Sequence, residues 1–387
     1  MLDMSKLLKV MKEHDASDLY ITVGCAPAYR VNGVVRPAGK RELSKEETEH
    51  LAISIMSEKH QREFDETSEQ NIGVQFEGLG RFRVNVFKQR GHVGLVIRQI
   101  KAEPPSLEEL NLPPVLKDVA MSKRGLVLMV GATGSGKSTT LASLIDYRNS
   151  NQAGHIVTIE DPIEFVHPHK KSIITQREIG TDTHSYHNAI KSALRQAPDV
   201  VLIGEIRDEV SMEAAINFAE TGHLCLATLH SNNANQAMER VMNFFPPERH
   251  KQIYLQLSLN LRSIISQRLV RTKEGGRVAA MEILLGSPRV KDLIHKAKIE
   301  ELKEAMETGN NVGMQTFDQS LFKLYQKGLI TEEEALRNAD SANNLRLEMK
   351  LADDGTIEDS ASAFKDKKTE KKSGSKSSAG IKLQLDK

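Results

Sequence analysis

Residues 131–138 read Gly131, Ala132, Thr133, Gly134, Ser135, Gly136, Lys137, Ser138, a full match to G-x-x-x-x-G-K-[ST]. Glycines in such a string let backbone N–H groups turn inward and crowd phosphate oxygens where side chains would obstruct them. The apolar run 126–130 precedes the string and a helix-compatible run, 138–147, follows it. The start of that helix would add its positive end to the cradle. Lys137 is then placed for β- and γ-phosphate oxygens, and the Ser138 hydroxyl for Mg²⁺. A glycine-rich turn that matches by chance is the bland alternative; agreement of string and flanks argues against it.

Two acidic strand ends accompany the loop. The apolar run 200–203 ends in Gly204 and Glu205. Buried parallel strands deliver polar residues at their C-terminal ends, where ligands bind. A carboxylate at Glu205 could there orient, or take a proton from, an attacking water. The second cluster follows the strand-like run at 156–160, in IVTIEDPIEF, with Glu160, Asp161 and Glu164. One or two of these could hold metal or water while the others cap or support the backbone, and spacing does not choose among them. His223 and His230 bracket the apolar run LCLATL. Either is a structural strand-end histidine, or, if the strand adjoins the nucleotide, a hydrogen-bonding sensor of phosphate. His167, His169, His184 and His187 have no such framing and read as surface residues. Arg81, Arg83, Arg90 and Arg98 form either a solvated strand face or the source of an arginine supplied to a nucleotide from another domain or subunit.

The elements that must position these groups divide the chain. Residues 1–102 read as a small α+β domain. It has an amphipathic helix at 2–14, strands at 18–24 and 28–37 with a hairpin turn at Asn32-Gly33, a helical stretch over 44–64 with Ser44 as N-cap and Glu47 in the capping-box position, and strands over 73–100. A proline-rich linker, 103–122, follows. From 123 to 350, strand-like runs at 125–130, 156–160, 200–205 and 224–229 alternate with helical stretches, the pattern of a parallel doubly wound sheet. Residues 287–340 read as helical throughout, and 351–387 as a charged, mobile tail.

Composition excludes several classes. With 53 Lys+Arg against 52 Asp+Glu the net charge is +1, which argues against a basic nucleic-acid coat. Cys25 and Cys225 cannot supply a disulfide framework or a four-cysteine zinc site, and each reads as a small core residue of a protein in a reducing cytosol. No apolar run approaches the roughly 20 residues of a membrane span, and the N-terminus does not read as a signal peptide.

Taken together, the motifs resemble the secretion ATPase superfamily that serves type II secretion and type IV pili. LRQAPDVVLIGEIRD (194–208) is similar to its signature around the Walker B strand, TIEDPIEF (158–165) to its Asp box and TGHLCLATLHS (221–231) to its His box, in family order after the phosphate loop. DASDLYITVG, GRFRVNVF and GGRVAAMEIL carry the likeness to PilT/PilU-type twitching-motility ATPases over roughly 1–340. The resemblance implies an α/β fold in which a PAS-like N-terminal domain is joined to a RecA-like P-loop ATPase domain with a parallel sheet, followed by helices. It implies a homohexameric ring with ATP and Mg²⁺ at the subunit junctions, at the cytoplasmic face of the inner-membrane pilus base. By it Glu205 is the catalytic glutamate, Glu164 the Asp-box acid, His223 and His230 the His-box residues, and Arg83 and Arg98 the arginines that reach the nucleotide.

Assembly-type relatives carry a four-cysteine zinc module that this chain lacks, so it resembles the retraction type. Where PilT-type chains carry an Ala-Ile-Arg-Asn helix, this one reads SPRVKDLIHKAKIEELKE (287–304) and continues into a longer charged tail, both features of the PilU-like accessory branch. The implied partners are a pilus inner-membrane platform protein and a PilT-like retraction ATPase, with no nucleic acid. A nucleotide-binding accessory subunit that needs a partner ATPase to drive movement is the alternative function. A nucleic-acid motor fits less well, because no basic stripe with stacking aromatics is present.

Overall fold

The computed structural model describes residues 2–353 apart from Asn32 and residues 101–102. The charged tail expected at 351–387 falls outside it from residue 354 onward, as does Asn32 of the expected hairpin turn.

Helix α1 (Met4–Glu13) opens the chain, capped by Asp3, with Met4, Leu7, Leu8 and Met11 on its buried stripe. Strands β1 (Asp18–Ile21), β2 (Ala28–Val31) and β3 (Val34–Pro37) follow, then helices α2 (Lys45–Ile53) and α3 (Glu58–Thr67), then β4 (Glu69–Phe76), β5 (Gly80–Gln89) and β6 (His92–Ile100). The strands form one antiparallel sheet in the order β3-β2-β1-β6-β5-β4. Alternation decides its faces. Phe82, Val84 and Val86 of β5 join α1, α2 and α3 in an apolar cluster, while Arg81, Arg83 and Asn85 point to the opposite side. The helical stretch expected over 44–64 forms two helices. Ser44 forms the expected capping box with Glu47, but the helix ends at Ile53 and Ser57 caps a second start by accepting the His60 N–H.

The segment expected to be a linker is packed. Leu107 and Leu112, and Leu116 and Val119 of α4 (Val115–Ala120), are buried in a cluster that covers the next sheet. That sheet collects β7 (Gly125–Val130), followed by α5 (Lys137–Asn151); β8 (Gly154–Glu160) and β9 (Ser172–Glu178), followed by α6 (Tyr186–Ala193); β10 (Val200–Ile203), followed by α7 (Glu209–Glu220); and β11 (Leu224–Leu229), followed by α8 (Ala234–Asn243) and α9 (His250–Asn260). β12 (Leu261–Arg271) and β13 (Arg277–Leu285) complete it in the order β13-β12-β7-β11-β10-β8-β9. All neighbouring pairs are parallel except β12-β13. Every residue of β7, β10 and β11 is buried, as expected for strands covered on both faces, which is why they read as unbroken apolar runs. Fully burying each large aliphatic side chain contributes about 1.5–3 kcal/mol. The fold is thus α/β, with an antiparallel N-terminal sheet, a RecA-like parallel sheet and helices at the C-terminal end.

Residues 287–340 are helical in pieces. Pro288 and the Ser287 cap start α10 (Pro288–His295); Ala297, at φ 56°, breaks it; a 3-10 turn at Ile299–Glu301 leads into α11 (Leu302–Glu307). The chain divides by contacts after Thr316. The second unit holds α12 (Phe317–Gln326), α13 (Glu332–Asn338) and α14 (Ala342–Asp353), where the Asp318 carboxylate accepts the Asp340 and Ser341 N–H groups. Among the described residues no helix is long and apolar enough to cross a membrane.

Replacing Ser44 by Ala removes one half of the α2 capping box. We expect a loss of about 1 kcal/mol of local stability, read as faster amide exchange in the first turn of α2 with α3 unchanged.

Candidate active site

The loop between β7 and α5 is held by close backbone approach. Gly131 sits at φ 152°, and a Cβ there would lie 2.5 Å from Ser135 Oγ and 2.6 Å from the Gln267 carbonyl oxygen. Gly134 and Gly136 also have positive φ, and Gly136 caps the start of α5. Gln267, in the middle of β12, clamps the loop from beneath. Its Nε2 donates to the Ser135 carbonyl at 2.8 Å and its Oε1 accepts from Thr140 Oγ1 at 2.8 Å. Lys137 is 9% exposed and folds onto the loop, donating to the Gly131 and Ala132 carbonyls at 2.7 and 2.9 Å. Burial pulls its ammonium below the usual lysine range, and the nearby Glu205 and Glu164 oppose that shift.

The C-terminal ends of the parallel strands bring acids to this loop. Ser138 Oγ donates to Glu164 Oε1 at 2.9 Å. Glu205, just past β10, receives Arg207 Nε and Nη2 on Oε2, both at 2.7 Å, and meets His230 Nε2 on Oε1 at 3.2 Å. Arg207 also lies 3.7 Å from Asp161 and stacks over the Tyr186 ring. A cavity of about 310 Å³ joins these groups, lined among others by Thr133, Gly134, Lys137, Ser138, Glu160, Glu164, Glu205 and His230.

The Asp-box acids differ in surroundings. Glu164 is exposed toward the loop, whereas the Glu160 carboxyl accepts from Thr158 Oγ1 at 2.6 Å and Gln176 Nε2 at 3.2 Å. Burial pushes Glu160 up to about 7, and these hydrogen bonds only partly counter it.

The other sequence-predicted residues are dispersed. His230 reaches Glu205, but His223 lies at the opposite end of β11, where Thr221 Oγ1 and the Phe218 carbonyl hold its Nδ1 at 3.0 and 3.1 Å. The six-residue strand puts about 20 Å between the two histidines. Arg83 and Arg98 stand opposite each other on the exposed face of the N-terminal sheet, and neither lines the cavity. Arg98 is paired to Asp18 at 2.8 Å; Asp18, 2% exposed, also takes Arg30 at 3.2 Å. Arg90 sits exposed in the β5-β6 turn. His169, His184 and His187 are exposed as expected, but His167 is not a surface residue. It is 7% exposed, it lines the cavity, and burial lowers its imidazole to about 4. Cys225 is buried; Cys25 is only partly so.

The sequence reading missed Gln267, Arg207 and Tyr186. The available signals were a glutamine inside the strand-like run ISQRL and an arginine two residues past Glu205.

A family model described as type II/IV secretion system protein matches residues 2–337. The chain belongs to that family. It is 54% identical over 351 residues to the type IV pilus ATPase PilU of Pseudomonas aeruginosa, covering 90% of this chain and 92% of the relative. It is 42% identical to the type IV pilus retraction ATPase PilT of the same organism, covering 89% of this chain and all of the relative. A crystal structure of the pilus retraction motor PilT with bound ADP superposes with a TM-score of 0.84 at 41% identity, covering 89% of this chain and 99% of that one. With its complete phosphate loop, this member of the family is an ATP hydrolase.

Gln267→Ala leaves the Ser135 carbonyl and the Thr140 hydroxyl without their buried partner, a cost of about 1–3 kcal/mol. We expect ATP to bind about tenfold more weakly, measured by equilibrium titration with a fluorescent ATP analogue. Glu160 gives a pH prediction. Its folded value lies above the ordinary carboxylate value, so the folded state holds the extra proton and this contribution to stability falls as pH rises from about 4.5 to about 7. Glu160→Gln should flatten that decline, seen as a smaller drop in denaturation midpoint between pH 5 and pH 7.5 than in the parent.

Proposed function

We propose that this chain is a motor ATPase of type IV pilus retraction, working as a homohexamer in the manner of its PilU-like relatives. The Ser138–Glu164 hydrogen bond across the phosphate loop, with Glu205 beside it, is the observation that carries the reading. Triphosphate oxygens take the amides of 131–136 and the Lys137 ammonium, which exchanges the loop carbonyls for phosphate. The hard oxygen donors of Ser138 and Glu164 suit Mg²⁺. When bound, Mg²⁺ neutralises charge on the β- and γ-phosphates. Glu205 takes the proton of the attacking water, and His230, hydrogen-bonded to the same carboxylate, fixes its orientation.

Arg83 and Arg98 act in this scheme on the nucleotide of a neighbouring subunit. Their exposed place, away from their own chain's loop, supports an arginine supplied in trans. His223 keeps the His-box assignment that the resemblance implies, with its contacts at the β11 end away from its own loop. The domain reading becomes part of the same proposal: a PAS-like unit, 1–102, moves against the ATPase domain, 123–350, while the intervening 103–122 stays packed on the ATPase sheet through Leu107, Leu112, Leu116 and Val119. The ring docks on a platform protein at the cytoplasmic side of the inner membrane and works beside a PilT-like ATPase. The greater identity to PilU than to PilT favours this accessory role.

Glu205→Gln should lower kcat by about 10²–10⁴-fold while ATP affinity is kept, read by phosphate release and nucleotide titration. Full turnover in that variant would remove Glu205 as the base. A strain carrying this protein without its PilT-like partner should extend pili but fail to retract them under load; unaided retraction would overturn the accessory role.

A further inference from the structure

Among the described residues of the β4-β5-β6 face, the arginine that reaches the parallel sheet in its own chain is Arg81. Its Nη2 lies 3.3 Å from Glu178 Oε2, at the end of β9. The contact is enclosed. The Glu178 side chain is 8% exposed and that of Arg81 22%. Gly73 of β4 leaves room for the approach, since a Cβ there would stand 2.9 Å from Arg81 Nη2 and 3.3 Å from Glu178 Oε1.

The same oxygen of Glu178 serves a second group. Oε2 also accepts the Ile163 N–H at 3.3 Å. Ile163 immediately precedes Glu164, whose carboxylate takes the Ser138 hydroxyl. The backbone around Glu178 is itself fixed to the site: Glu178 stands opposite Glu160 in the β8-β9 ladder, and the Ile179 N–H donates to the Glu160 carbonyl at 2.9 Å. One carboxylate oxygen therefore links a guanidinium of the N-terminal sheet to the backbone that carries Glu164.

We infer that Arg81 and Glu178 are positioning residues that couple the placement of the N-terminal sheet to the Asp-box backbone at Ile163 and Glu164. While the pair is closed, the Glu178 carboxylate is neutralised and fixed, and the Ile163 amide has a stationary acceptor. When the N-terminal sheet shifts and withdraws Arg81, a nearly buried carboxylate keeps the Thr181 hydroxyl on Oε1 but loses its counter-charge, which favours rotation or the entry of water. Either change releases the Ile163 amide and loosens the hold on Glu164. The coupling needs no displacement of the phosphate loop. It alters the acid side of the site and leaves the phosphate cradle intact.

This inference rests on the proposed role of Glu164, so its test needs an arm that does not depend on turnover. Full-length chain and the variants Arg81→Ala, Arg81→Lys, Glu178→Gln and R81A/E178Q are compared for kcat and KM with ATP, and for hydrogen exchange at Ile163. Arg81→Ala should lower kcat about tenfold with KM within about threefold, and should speed exchange at the Ile163 amide by about tenfold. Arg81→Lys should recover most of both. The double variant should be no more than about twofold slower than the slower single variant, because the two groups act as one. If Arg81→Ala leaves kcat and exchange within about twofold of the parent, or if the single effects multiply, the coupling is overturned. If Glu164→Gln retains full turnover while Arg81→Ala still speeds exchange, the coupling stands and the role of Glu164 fails. If the parent shows no turnover, the exchange arm decides the coupling alone.

Discussion

Every part of the site depends on how closely one backbone passes another beneath the phosphate loop. Gly131 leaves β7 with less space over the Gln267 carbonyl than a single methyl group would need. That approach exists because β12 pairs with β7 in parallel, and because the Gln267 side chain turns up to take both the Ser135 carbonyl and the Thr140 hydroxyl. The loop is thereby fixed at its floor and at the first turn of α5. Its remaining freedom lies at Lys137, whose ammonium borrows two loop carbonyls that any phosphate would replace.

Around this fixed loop the acids are sorted by surroundings. Glu160 is enclosed by Thr158 and Gln176 and holds a proton to about pH 7. Glu164 and Glu205 open toward the cavity, each with a named partner: Ser138 for the first, Arg207 and His230 for the second. Charge is concentrated where water and phosphate can meet it and is suppressed one residue deeper. The motif TIEDPIEF thus contains one enclosed acid, Glu160, and two exposed ones, Asp161 and Glu164.

Much of this was legible because it is local. The phosphate string, the strand-end Glu205 and the Ser44 capping box are written within a few residues of themselves. β7, β10 and β11 were equally plain, since burial on both faces leaves nothing but apolar side chains. β9 and β12 were not found. In β12 the apolar pattern is broken by Ser263, Ser266 and Gln267, all buried, and each break is satisfied by a partner far along the chain. Glu282 of β13 is another such case: 2% exposed, it accepts the Ser266 hydroxyl and the Ala234 N–H at the start of α8. Polar residues that look like interruptions of a strand become fasteners only once the fold supplies the other half. The helix breaks at 54–57 and at Ala297 escaped notice for the opposite reason, because short-range apolar spacing continues across them while capping and left-handed backbone end the helix. His167 is buried where its backbone N–H meets Gln176 of β9, nine residues on, which its immediate neighbours do not disclose.

The buried Asp18 that joins Arg98 and Arg30 has a consequence for whatever those arginines meet. Arg98 is never a bare cation waiting in solvent; it already has an anion. Its Nε holds Asp18 Oδ1 while its other N–H groups stay available, so a phosphate that approaches meets a guanidinium whose charge is already partly offset, and the net gain is smaller than the attraction of an unpaired cation. Such a contact is shallow in free energy. It forms and releases with small cost in either direction, and added salt weakens the exposed phosphate contact more than the pairing to the buried Asp18. A contact balanced in this way can be made and broken many times without trapping the protein in either state.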